Sequence, residues 1–357
     1  MRQVKSKVFV AMSGGVDSSV AAALLKKQGF DVVGVYMKSW MPNIVGVCPW
    51  KQDREDAMRV AAVLNIPFKT WDFSKEYKKL VADYMIKEYK AGRTPNPDIM
   101  CNKYIKFGLF LSRALKEGAD FIATGHYVRK KAYQLTSLPA YKLLTAKDEN
   151  KDQSYFLWTL TQKELKYCLF PIGDYTKPEV RRMARKFKLS TAEKKDSQGI
   201  CFIGPIDMAD FLKIYIKPKK GEIIDSSGNI VGQHDGIYYC TIGQRHGLDI
   251  KNGQGPYYAT RKNLKKNIIY VGAEKDLYTN KAKIINSSWI NPVWKFNFQT
   301  EGTLEVDMKI RYRSKSEKAV LYKNGDLKFI KPVRAITPGQ SAVFYKGSEL
   351  LGGGIII

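Results

Sequence analysis

Cysteine is scarce in this chain: five in 357 residues, an odd number, and no two of them form a Cys-x-x-Cys pair. Histidine is scarcer still, with three. A secreted disulfide framework uses denser, evenly counted cysteines, so a reducing cytoplasm is the expected setting. A structural zinc site gathers about four thiolate or imidazole ligands, and none is expected here. Long apolar runs are also missing. Val20–Leu25 is among the longest, far short of the ~20 residues that cross a bilayer, so no membrane partner is expected. The basic start Met1–Lys7 leads into an apolar run, Val8–Met12, too short for a signal-peptide core, and the mature chain is expected to start here. Acidic side chains are few: 34 Asp and Glu stand against 60 Lys and Arg, a formal charge of +26. Such a field concentrates polyanions, and composition alone leaves two readings open, a nucleic-acid partner or a merely lysine-rich surface.

What is present is globular. Hydrophobic residues make up 44% and charged residues 26%, enough for two or three domains at ~100 to 200 residues each. Over residues 7 to 125, short apolar runs alternate with amphipathic segments, which predicts βαβ units and a parallel sheet. Strands are expected at Lys7–Met12, Asp31–Met37, Ile66–Phe73 and Asp120–Thr124. Helices are expected at Val16–Gln28, Gln52–Asn65, Ser74–Tyr89, Lys103–Lys116, Lys151–Phe170 and Pro178–Phe187. From Gly221 onward glycine and asparagine turns separate short strands, and Asn324-Gly325 marks a hairpin. The expected division is residues 1–204, an α/β domain with a helical extension, then two small β-rich modules, 205–274 and 275–357, the last a β-barrel.

Ser13-Gly14-Gly15-Val16-Asp17-Ser18-Ser19 falls between a predicted strand and a predicted helix, where backbone N–H groups and the helix dipole converge on an anion. It lacks the lysine of a Walker A loop and the spacing of Gly-x-Gly-x-x-Gly. It resembles the pyrophosphate loop of the adenine nucleotide α hydrolase-like superfamily, which splits ATP between its α and β phosphates.

Two cysteines stand apart. Gly92-Arg93-Thr94-Pro95-Asn96-Pro97-Asp98-Ile99-Met100-Cys101-Asn102-Lys103 is a proline-pinned loop that delivers Cys101 to a predicted helix start, where the dipole, Lys103 and Lys106 favour thiolate. Cys201 lies in Lys194-Lys195-Asp196-Ser197-Gln198-Gly199-Ile200-Cys201-Phe202, again beside lysines. Cys48, Cys168 and Cys240 read as ordinary small core residues.

Together with Gly125-His126-Tyr127, Lys151-Asp152-Gln153-Ser154-Tyr155-Phe156, Thr241-Ile242-Gly243-Gln244-Arg245, Arg311-Tyr312-Arg313 and Thr337-Pro338-Gly339-Gln340-Ser341-Ala342, these segments resemble the tRNA-specific 2-thiouridylases over nearly the whole chain. The resemblance implies an enzyme that uses ATP and Mg²⁺ to put sulfur at position 2 of the wobble uridine in the tRNA anticodon arm. A cysteine desulfurase or sulfur-relay protein would be the donor. It implies ATP held by Ala11, Met12, Ser13, Gly14, Gly15, Val16, Asp17 and Ser18, with Met37 and Gly125 toward adenine. Asp17 either holds magnesium, orients the loop or caps its helix. Cys201 would carry a persulfide, and Cys101 would be the catalytic nucleophile, leaving a Cys101–Cys201 disulfide. Asp98 would be a general acid or base, or else a cap; with Asn96 and Pro97 it would meet the flipped-out base. His126, Lys151, Asp152, Gln153, Arg311, Tyr312 and Gln340 would face tRNA, although His126 also reads as a plain strand-end residue and Arg311–Arg313 as a solvated strand face. The rivals are another pyrophosphate-loop ligase or thiolase, or a non-catalytic basic RNA-binding protein.

Overall fold

The computed structural model describes residues 5–42, 49–134, 139–196, 207–250, 253 and 255–357. Cys48 and Cys201 lie outside them. Strand β1 (Lys7–Ala11) is apolar without alternation because both its faces are covered. Val8 and Val10 pack with Val16, Val20 and Leu24 of α1 (Val16–Lys27), while Phe9 and Ala11 pack with Trp71, Tyr77 and Phe110 on the other side. With β2 (Asp31–Lys38), β3 (Phe68–Asp72), β4 (Phe121–Ala123) and β7 (Cys168–Leu169) it forms a parallel sheet of order β3-β2-β1-β4-β7. The order reverses beside β1, the position where open α/β sheets take their ligands. Helix α1 ends as its sequence requires: Gly29 takes φ +94, and the Gly29 and Phe30 amides return to Lys26 and Leu25.

Two helical expectations are corrected. The helix carrying Cys101 starts at Pro97, six residues earlier than expected, because proline needs no amide partner in a first turn. It runs as α-helix Pro97–Met100, π-helix Cys101–Phe110 and α-helix Leu111–Lys116. Cys101 therefore sits in the second turn. The stretch 151–170 is not one helix. Asp152 accepts from the amides of Ala146 and Ser154, and the Glu164 carboxylate reaches back to the amide (2.9 Å) and hydroxyl (2.7 Å) of Thr161. These side chains capture the backbone and leave a 3-10 turn, Ser154–Leu157, a one-turn helix, Gln162–Leu165, and the edge strand β7. Among the described residues no helix is long and apolar enough to cross a membrane.

Beyond the sheet, β8 (Gly221–Ile224), β9 (Ile230–His234), β10 (Tyr258–Asn263) and β11 (Ile268–Gly272) form a small sheet of order β10-β11-β8-β9. The C-terminal strands are β12 (Tyr278–Trp289), β13 (Thr303–Lys309), β14 (Glu317–Tyr322), β15 (Asp326–Arg334), β16 (Ser341–Lys346) and β17 (Glu349–Ile356). They close into a barrel through β12–β17, and β14 and β15 make the expected hairpin with Gly325 at φ +85. An unforeseen hairpin, β5 (Arg129–Gln134) with β6 (Pro139–Leu144), leaves the N-terminal part and pairs with β17. One apolar cluster accordingly contains Phe110 and Leu160 together with Phe211, Val343 and Leu350.

All three parts meet at Thr94. Its amide donates to Pro338 O at 2.8 Å, its carbonyl accepts from Gln340 Nε2 at 2.8 Å, and its hydroxyl lies 3.2 Å from that of Thr241. Gly339, at φ +94, lets this turn approach: a Cβ there would stand 2.9 Å from both Thr94 N and Thr94 O. Gly339→Ala should therefore lower the unfolding free energy by about 1–3 kcal/mol in denaturant titration. An unchanged midpoint would contradict the close packing of this turn.

Candidate functional site

The loop after β1 is shaped by its own hydroxyls. Ser18 Oγ accepts from the Ser13 amide at 3.1 Å, and Ser18 Oγ and Ser19 Oγ donate to Gly15 O at 3.2 and 2.8 Å. Gly14 takes φ +78, and a Cβ there would lie 2.2 Å from Asp53 O of α2 (Pro49–Val63). Gly125, just after β4, is pressed against the first turn of α1, since its Cβ would come within 2.6 Å of Ser18 N. These glycines keep a backbone cradle open at the N-terminus of α1, a ready anion site.

Asp17 has settled partners. Lys177, only 8% exposed at the start of α3 (Lys177–Lys186), reaches both its oxygens at 2.7 and 2.9 Å, and Tyr127 donates to it at 2.8 Å. Lys177 also meets Asp196 at 2.7 Å. The aspartate thus ties the loop to α3 and to Tyr127 while still lining the cavity that opens over the loop. Among the described residues no three His, Cys, Asp or Glu side chains gather as a metal cage.

A cavity of about 360 Å³ opens over this loop. Ala11, Met12, Ser13, Asp17, Ser18, Met37 and Gly125 line it together with Cys101, Ile105, Lys106, His126 and Gln153. Two motifs some ninety residues apart thereby share one space. Cys101 is 5% exposed. Pro97 is buried at the helix start, and Asn96 Oδ1 is buried with no hydrogen-bond partner. Asp98 is half-buried and makes no hydrogen bond among the described residues; burial raises its pKa against the pull of Lys106. It is not the helix cap, and its tendency to hold a proton suits acid–base work. His126, 6% exposed, has Nδ1 2.8 Å from Thr124 Oγ1, and burial with Lys106 nearby holds its pKa well below 6.5. A neutral imidazole faces the cavity. Gln153 Oε1 accepts from the Tyr127 amide at 3.0 Å.

Other expected RNA contacts are placed differently. Asp152 is 6% exposed and held between Ser154 (2.9 Å) and Lys309 (3.2 Å). Lys151 pairs with Asp196 at 2.7 Å. Arg311 is not a solvated strand residue; its Nη2 donates to Ile242 O, Ala335 O and Thr337 Oγ1 at 3.2, 2.9 and 2.7 Å. Tyr312 packs on Phe156, ring centroids 4.5 Å apart, and Gln340 holds Thr94. Cys168 and Cys240 are buried core thiols, as expected, with pKa values raised by burial, that of Cys240 to about 11. Lys177 and Tyr127 were not singled out from sequence as partners of Asp17; neither lies near it in the chain, and no local pattern marks them.

A parallel sheet whose switch point carries this loop defines a pyrophosphate-loop nucleotide-binding protein. Family models describe residues 6–205 as a tRNA methyl transferase HUP domain, 209–273 as a tRNA methyl transferase PRC-barrel domain and 280–356 as an aminomethyltransferase beta-barrel domain. The chain is 46% identical to the tRNA-specific 2-thiouridylase MnmA of Bacillus velezensis, covering 99% of this chain and 96% of that one. It is 45% identical to the protein of the same name from Halalkalibacterium halodurans, over 99% and 95%. Among solved structures, the U34-tRNA thiolase NcsA of Methanococcus maripaludis, with its [4Fe-4S] cluster, is similar at 18% identity and TM-score 0.36, covering 59% of this chain and 67% of that one. The chain belongs to the family of tRNA-specific 2-thiouridylases.

Gly125→Ala should weaken ATP binding at least tenfold in calorimetry, because the methyl group pushes on the backbone of Ser18. Unchanged affinity would remove the cradle from the nucleotide site.

Proposed function

We propose that this protein performs ATP-dependent 2-thiolation of the wobble uridine in the tRNA anticodon arm. The observation that carries the reading is the single cavity joining the loop Ser13–Ser18 to Cys101. A uridine C2 carbonyl is a poor electrophile because oxide leaves badly. Attack of O2 on the α-phosphorus of ATP expels pyrophosphate, and the oxygen can then depart as part of AMP. The loop amides and the end of α1 hold the phosphates as their charge shifts. Magnesium would enter with the nucleotide, since it commonly keeps its waters and takes one or two carboxylates plus phosphates.

Cys201, charged by a cysteine desulfurase or sulfur-relay protein, would carry a persulfide. The Cys101 thiolate attacks the Cys201 Sγ, breaks the S–S bond of the persulfide and releases hydrosulfide, leaving a Cys101–Cys201 disulfide. Hydrosulfide adds at C2 and AMP leaves with the original oxygen. A thiol reductant then supplies two electrons to restore both cysteines. Asp98 moves the proton at the base, and the buried, unpartnered Asn96 Oδ1 is an acceptor for a uracil N–H. Residues 1–204 would supply this chemistry, and the modules 205–274 and 275–357 a basic surface for the folded RNA.

Pyrophosphate release should require tRNA with uridine at the wobble position and fall about 10²-fold or more in Asp98→Asn. Release at the same rate without tRNA, or with cytidine at that position, would contradict the proposal.

A further inference from the structure

Lys103 and Lys106 flank Cys101 equally well in sequence, but the helix separates them. In an α-helix the fifth residue along is turned about 140° from the first, onto another face. Residues Cys101–Phe110 are wound as a π-helix, whose i→i+5 bonding stacks the fifth residue near the first. Cys101, Ile105 and Lys106 accordingly line the cavity together. Lys103 faces a different groove beside Phe107 and Trp158, with its ammonium 5.1 Å from the Tyr104 ring centroid.

The charges around the cavity single out Lys106. From β2, Lys38 is paired with Asp72 at 2.8 Å; from α1, Asp17 is held by Lys177; from α2, Asp53 is held by Lys194 at 2.7 Å. His126, after β4, is neutral near pH 7, and Tyr77 adds a phenol from helix Ser74–Tyr77. At the head of the Cys101 helix, burial of Asp98 disfavours its charged form. Lys106 has no ion-pair partner among the described residues. The helix dipole acts mainly within a first turn, and Cys101 lies in the second.

We propose that Lys106, and not Lys103, is the counterion that keeps Cys101 as a thiolate. The inference rests on the reading of Cys101 as the nucleophile. It acts through Cys101 and not on the substrate: the Sγ–H bond breaks heterolytically, the proton passes to solvent, and the sulfur keeps the electron pair beside the ammonium. No oxidant or reductant takes part.

Ultraviolet thiolate absorbance of the full chain, titrated against pH and corrected by the Cys101→Ser variant, reads this proton directly. Lys106→Met should raise the Cys101 midpoint by on the order of one pH unit. Lys106→Gln, a second neutral variant, should do the same, Lys106→Arg should restore the midpoint, and Lys103→Met should leave it in place. An unchanged midpoint in both neutral Lys106 variants, or an equal rise in Lys103→Met, overturns the assignment. The titration needs neither ATP nor tRNA, so it stands whether or not the thiolation chemistry does.

Discussion

Thr94 is the residue on which the arrangement of this molecule turns. Its amide, carbonyl and hydroxyl are engaged by Pro338, Gln340 and Thr241, which come from two other parts of the chain. Pro95-Asn96-Pro97 follows at once, and prolines with the residue between them have few conformations to choose from. Fixing Thr94 thus fixes where the Cys101 helix begins and which way it points. The adjoining ion pair of Arg93 with Glu88, at 2.5 Å, secures the approach to the loop. The C-terminal barrel is consequently part of the scaffold of the cavity and not an appendage to it.

A second constraint is electrostatic. The formal charge is +26, yet many of the basic groups near the cavity are neutralised. Lys177 joins Asp17 to Asp196, which also meets Lys151 and Arg181, and Lys194 joins Asp53 to Asp56. These pairs link the loop, α2, α3 and the segment ending at Asp196. Among the described residues Lys106, one turn from Cys101, has no such ion-pair partner. Neutral His126 lines the cavity with it and with Cys101, and Asp98, whose pKa burial raises, lies within reach of its charge, so a cation, an acid and a sulfur nucleophile are gathered at one helix. Such a set suits a reaction in which a phosphate ester leaves and a sulfur anion arrives.

Much of this was legible in the sequence where a local rule governed the outcome. Asn324-Gly325 is a turn that other side chains would strain, and the strand at Lys7–Met12 followed from its short apolar run. The loop Ser13–Ser19 and the Pro-Asn-Pro-Asp segment stood out as candidates because their chemistry is written in consecutive residues. What stayed hidden depended on distant partners. Strand β5 is largely polar, and its hairpin is fixed by pairing with β6 and, through it, with β17, some two hundred residues away. Arg311 and Asp152 look like surface charges until their acceptors and donors are in place. The π winding that separates Lys106 from Lys103 has no one-residue signature and comes from packing.

The central claim is that ATP chemistry at the loop and sulfur chemistry at Cys101 act on one uridine. Nucleoside mass spectrometry of tRNA incubated with ATP, a persulfide donor and the protein, beside its Cys101→Ser variant as the inactive control, tests it most directly. The account predicts 2-thiouridine at the wobble position, dependent on ATP. Unmodified uridine there, or sulfur placed at another position of the tRNA, would contradict it.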